Sequence, residues 1–192
     1  MARAVTATGS WTIYKWRWQF SGGEGLDDLR RRAERDDRVP YDLWAAQDFI
    51  EATSGNVVDY GVIEQRIFAD AALFQVREIA YDSWNATHIT LRLPGEGAAM
   101  VEFHQGYRSM AAPTRQLEKL IVSRRLTHGA NPVTRWMTSN VAVAQDPAGN
   151  LKPAKDKSTE RIDGIVALIM ALGRAMLPRR RSSWDSNRVL RS

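Results

Sequence analysis

The sequence of 192 residues contains no cysteine, which excludes disulfides and thiolate metal sites. No apolar run approaches the ~20 residues needed to cross a bilayer. The start, Met1-Ala2-Arg3-Ala4-Val5, leads into a polar, Trp-rich segment without the apolar core of a signal peptide. His88, His104 and His128 stand far apart and show no metal-ligand spacing, which argues against zinc. No phosphate-loop pattern of the form GxxxxGKS/T occurs, so the chain carries no recognisable ATPase. No Ser/His/Asp constellation or nucleophile elbow is present. Acidic residues are also absent from the beginning of the chain; the first is Glu24.

What is present suits one folded domain. Hydrophobic residues make up 44% and charged residues 26%, ordinary values for a globular protein long enough to bury a core. The net charge of +5 hides an asymmetry. Residues 1–96 hold 11 Lys/Arg and 15 Asp/Glu, a net of −4, whereas residues 97–192 hold 16 and 7, a net of +9. The second half is where a polyanion would bind, although a solvated basic surface with a tail explains the same numbers.

The pattern alternates strands and helices. Trp16, Trp18 and Phe20 alternate with Lys15, Arg17 and Gln19, the period of a half-buried strand within 11–20. Ser21-Gly22-Gly23 and Gly25 break it as a turn, and 26–38 read as a charged helix or linker. Pro40 opens a short helix carrying Trp44 and Phe49. Asp59 caps a helix over 60–73 with Val62, Ile63, Ile67 and Ala71 on one face. A strand over 76–81, a helix over 84–94 and a strand over 100–104 follow. Pro113 opens a helix with Leu117, Leu120 and Ile121 on one face. Residues 140–145 read as a strand, Asp146-Pro147-Ala148-Gly149-Asn150 as a turn, and 159–176 as an apolar helix. Residues 1–177 form the expected domain; 178–192, opened by Pro178 and a run of arginines, form a basic, disordered tail. The expected class is α/β, with helices against a mixed sheet.

Two acids carry the chemistry. Asp82 ends the strand-like run Glu78-Ile79-Ala80-Tyr81, where ligands bind in open α/β sheets; equally, Asp82 or Ser83 caps the next helix. Asp163 lies near the start of the last helix, beside the small Gly164. That suits a functional cleft, and it equally suits an acid facing the helix dipole, with Ser158 or Thr159 as the cap. Hard divalent cations take oxygen ligands, and Mg²⁺ accepts one or two carboxylates plus phosphate oxygens and water. Two such ions activate water and stabilise the leaving oxygen in phosphodiester cleavage. Lys155 and Lys157 would offset phosphate charge there, or be solvated loop lysines. The segment His104-Gln105-Gly106 would line the cleft. Asn140, at a strand start, would orient a ligand or be a hydrogen-bonded amide.

Several stretches together resemble the C-terminal nuclease domain of the large terminase subunit of tailed bacteriophages. They are Val39-Pro40-Tyr41-Asp42-Leu43-Trp44, Gly55-Asn56-Val57-Val58-Asp59-Tyr60, Ile79-Ala80-Tyr81-Asp82-Ser83-Trp84-Asn85 and Gln105-Gly106-Tyr107. Further on come His128-Gly129-Ala130-Asn131-Pro132-Val133, Trp136-Met137-Thr138-Ser139-Asn140-Val141, Lys152-Pro153 through Lys157-Ser158, and Arg161-Ile162-Asp163-Gly164-Ile165-Val166-Ala167-Leu168. The resemblance runs over residues 16–176.

It implies an RNase H-like mixed sheet flanked by helices, and a metal-dependent endonuclease that cuts concatemeric viral DNA during genome packaging with Mg²⁺ or Mn²⁺ at a two-metal site. It assigns metal binding and catalysis to Asp82 and Asp163, and sets Lys155, Lys157 and Arg161 against the DNA. The implied partners are double-stranded DNA, the portal and the small terminase subunit, in the cytoplasm of the bacterial host and away from membranes. The family's metal site has a further aspartate on the first strand, and nothing here matches it. The chain reads as beginning after that strand and without the upstream ATPase domain, as a fragment, a truncated gene or a misassigned start would. The alternative function is therefore a catalytically impaired remnant, or a DNA-binding or docking module of the packaging motor.

Overall fold

The computed structural model describes residues 4–7, 10–13, 18–20, 39–52, 60–74, 76–82 and 99–177. The expected features at 14–17, 21–38, Asp59, 84–94 and 178–192 lie outside these residues. Strands β1 (Ala4–Ala7) and β2 (Ser10–Ile13) pair antiparallel, and β2 pairs parallel with β7 (Leu126–Thr127). Strand β3 (Trp18–Phe20) pairs parallel with β4 (Ile50–Ala52), and β5 (Glu78–Tyr81) pairs parallel with β6 (Ala99–Glu102). Strands β8 (Val143–Gln145) and β9 (Leu151–Pro153) form an antiparallel hairpin. The helices are α1 (Tyr41–Ala46), α2 (Tyr60–Leu73), α3 (Tyr107–Val122), α4 (Pro132–Asn140) and α5 (Asp163–Ala175). The architecture is mixed α/β, as expected, with small sheets flanked by helices.

Helix α5 is the centre of the core. Ile165, Val166, Leu168, Ile169, Met170 and Leu172 are all buried, which leaves only a narrow exposed stripe. A helix apolar on nearly every side must be surrounded, and α5 packs against α3, α4, β5 and β1. Helix α3 adds Met110, Leu117 and Leu120, and α4 adds Val133 and Met137. At the core's edge, Trp136 of α4 meets Tyr41 and Trp44 of α1 with ring centroids 5.9 and 5.7 Å apart.

Helix ends follow from local chemistry. Asp48 adopts φ 65° after α1. Its N–H donates to Ala45 O, and that of Phe49 donates to Trp44 O. These two bonds satisfy the last carbonyls in a Schellman arrangement. Arg124 (φ 55°) and Arg125 close α3 in the same way, onto Ile121 and Leu120. Asn131 opens α4: its Oδ1 accepts from Thr134 N at 3.0 Å, with Pro132 next in the chain.

Five expectations need correction. The strand expected within 11–20 is two strands in different ladders, β2 and β3. Pro40 sits at the N-cap of α1 rather than inside it, and Phe49 lies beyond its end. Pro113 does not open α3; the helix starts at Tyr107 and buries Pro113 within it, while Ile121 is 46% exposed. The expected strand 140–145 begins only at Val143, because α4 runs through Asn140. The last helix starts at Asp163 rather than at 159. Among the described residues, no helix is long and apolar enough to cross a membrane.

Candidate active site

Three contacts fix the direction of α5 over the β5–β6 pair. Gln105, just past β6, donates to Met170 Sδ at 3.8 Å. A Cβ on Gly173 would lie 2.9 Å from the Phe103 ring. Arg174 Nε donates to Glu78 Oε2 at 2.7 Å, at the start of β5. Moving forward along α5 therefore moves backward along the strands, so the helix runs antiparallel to them. Its first residue, Asp163, lies about two turns before Met170, toward the C-terminal end of the strands. Asp82 follows β5 at that same end and is half-buried. His104-Gln105-Gly106 leaves β6 there, with His104 Nδ1 3.8 Å from Glu102 Oε1. Asp82 thus follows the C-terminal end of β5, and α5 starts beyond that same end with Asp163.

Asp163 occupies the first helical position, where the helix dipole favours a negative charge. Its Oδ1 accepts from Lys155 Nζ at 2.7 Å. Both side chains are about half exposed, 51% and 53%. Lys157 and Arg161 are exposed on the same approach to α5. Lys152, on β9, sits 5.1 Å from the centroid of the Tyr107 ring at the start of α3.

The turn that presents Lys155 is stapled to the preceding hairpin. Ser158 Oγ donates to Ala154 O at 2.7 Å and accepts from Ala142 N at 3.1 Å. Thr159 Oγ1 lies 3.3 Å from Asn140 Oδ1. Ala154 N donates to Ala142 O, and Lys157 N and Ser158 N donate to Ala154 O. Neither hydroxyl caps α5; Ile162 holds the N-cap position and makes no side-chain cap bond. Asn140 is thus the hydrogen-bonded amide that the sequence offered as one reading, whereas the bonds of Ser158 and Thr159 back to 140–142 replace the capping role expected of them. Their only advance signal was the density of small polar residues before the helix.

The donor types suit a divalent cation. Asp82 and Asp163 are hard oxygen donors within reach of solvent, and Mg²⁺ binds through one or two carboxylates with water and phosphate oxygens completing its shell. The chemistry fits. Among the described residues, no group of three or more His, Cys, Asp or Glu is placed to hold a metal.

Residues 10–178 match the family model described as terminase large subunit, endonuclease domain. The chain is 34% identical over 174 residues to the large terminase subunit of Enterobacteria phage HK97, covering 87% of this chain and 32% of that protein. It is 36% identical over 150 residues to the protein YmfN of Escherichia coli K12, covering 77% and 32%. The crystal structure of the HK97 bacteriophage large terminase superposes with a TM-score of 0.78 at 31% identity, over 90% of this chain and 36% of that one. The chain spans about a third of the length of the curated relatives it matches.

Proposed function

We propose that this chain, which belongs to the terminase large-subunit endonuclease family, is a Mg²⁺- or Mn²⁺-dependent DNA endonuclease domain that cuts concatemeric viral DNA during genome packaging. The domain is residues 1–177, and 178–192 is a basic tail. The observation that supports the reading is an acid with a lysine beside it at the start of α5, Asp163 with Lys155, on a helix that runs antiparallel to the strand β5 that Asp82 follows.

In this reading the two carboxylates hold the cation between the end of β5 and the start of α5. Bound there, a divalent cation supplies activation of water and stabilisation of the leaving oxygen. Lys155, Lys157 and Arg161 bring positive charge to the phosphate backbone, which accepts such contacts without regard to base sequence. The strong net positive charge of residues 97–192 supports a polyanionic partner. Double-stranded DNA is that partner; the portal and the small terminase subunit are the proposed protein partners, in the host cytoplasm.

The pair of acids, rather than a trio, among the described residues favours a second reading: a DNA-binding or docking module of the packaging motor that does not cut. One experiment separates them. Under the first reading, the purified chain with Mn²⁺ nicks or linearises plasmid DNA, and Asp82→Ala or Asp163→Ala each brings this to background. Cutting retained in either variant removes that residue from the site. Salt-sensitive DNA binding with no Mn²⁺-dependent cutting selects the second reading.

A further inference from the structure

Asp163 is already engaged by a cation of the chain itself. Lys155 Nζ lies 2.7 Å from its Oδ1, at the distance of a direct charge-assisted hydrogen bond. We propose that the Lys155 ammonium is a resident counter-ion that a divalent cation must displace, so that lysine and metal compete for one carboxylate oxygen. The proposal rests on the reading above that Asp163 is a metal ligand.

Three features support exchange rather than a fixed structural bridge. Both partners are about half exposed, 51% and 53%, so neither is sealed in a low-dielectric pocket. Exposed pairs of this kind are weak, and an ion of twice the charge at the same oxygen outbids an ammonium by Coulomb's law. The second feature is the anchoring of the turn. Residues 154–159 are held by Ser158 on Ala142 and Ala154, and by Thr159 on Asn140. None of these bonds involves the Lys155 side chain. Its four-carbon stem can swing away while the turn stays in place. The third is the destination. A displaced ammonium remains tethered within a side-chain length of the carboxylate, where the DNA phosphate would lie. One lysine would then neutralise Asp163 before metal arrives and the phosphate afterwards.

The test is Mn²⁺ binding by the full chain, followed by calorimetry or by the paramagnetic signal of free Mn²⁺, without DNA. Lys155→Met keeps the length of the side chain and removes its charge and donors. Lys157→Met removes the same charge from the same turn, where Lys157 makes no ion pair among the described residues. We expect Lys155→Met to tighten Mn²⁺ binding about two- to fivefold, clearly more than Lys157→Met, and Asp163→Asn to abolish the difference. Equal affinities for the two lysine variants, or weaker binding in Lys155→Met, overturn the proposal while leaving Asp163 as a ligand. Tightening in Lys155→Met without DNA cutting by any form keeps the counter-ion and discards the nuclease reading. Binding that appears only in Lys155→Met supports the competition most directly, and absence of binding in every form overturns both.

Discussion

Gly173 and Phe103 touch so closely that a Cβ on the glycine would sit 2.9 Å from two ring carbons of the phenylalanine, with Pro113 Cγ at 3.3 Å. This is where α5 crosses the end of β6 and the middle of α3. Alanine at 173 would gain helix propensity of up to ~1 kcal/mol. Forcing a buried ring aside costs ~1–3 kcal/mol. The second effect wins because Phe103 is 8% exposed and has little room to retreat. Gly173→Ala should therefore lower the midpoint of urea unfolding. Adding Phe103→Leu should recover part of the loss relative to Phe103→Leu alone, a coupling a double-mutant cycle reads directly.

Asn131 is 6% exposed, and its Oδ1 serves both Thr134 N and Thr134 Oγ1, at 3.0 and 3.3 Å. Asn131→Ala removes the cap of α4 and strands a buried amide. The expected loss is about 1–2 kcal/mol, with Asn131→Asp retaining most of the stability. Chemical denaturation of both variants checks this.

These two sites show why parts of the fold were legible and parts were not. Helix α2 and the core stripe of α5 follow from apolar spacing, because burial of a helix face is written at intervals of three and four residues. Helix α4 was missed altogether, and the strand expected over 140–145 overlaps its last residue. The start of α5 was misjudged for a different reason. Ser158 and Thr159 resemble caps locally, but their partners Ala142 and Asn140 are 16 and 19 residues away. Such partners cannot be read from neighbouring residues. The candidate acids Asp82 and Asp163 were visible as residue types at element ends. Their common end of the sheet required the antiparallel course of α5, which the contacts of Gln105, Phe103 and Glu78 establish.

Ser158→Ala should disturb the site without touching either acid. It leaves Ala142 N–H without its acceptor and Ala154 O without one donor. An orphaned, partly buried backbone donor costs ~1–3 kcal/mol. Because the loss falls on the turn that carries Lys155, amide exchange should accelerate at 155–160 and at Ala142 before it changes in α5. Uniform acceleration through α3 and α5 would show instead that the turn is not an independent unit.

The β8–β9 turn should respond to acid. Asp146 is held below the usual carboxylate range, chiefly by the Asn150 side-chain amide and then by the Asn150 backbone N–H. A carboxyl whose folded value is depressed adds stability above its unfolded value, and loses it as pH falls through the folded value. The hairpin turn should thus be tightest above about pH 4 and loosen below it. An NMR titration of the Asn150 side-chain amide reads this transition. Asn150→Ala should move the midpoint upward, toward an ordinary aspartate.

The parallel pairing of β2 with β7, Trp11 with Leu126 and Thr12 with Thr127, has a consequence for how the protein is made. Most of the chain lies between the two strands. A ribosome releases β2 long before β7 exists, so the opening hairpin must wait with one edge unpaired, and contacts of such long sequence separation form slowly. The sheet can therefore close only after Thr127 has been made, and until then the growing chain depends on keeping that early edge from finding another partner.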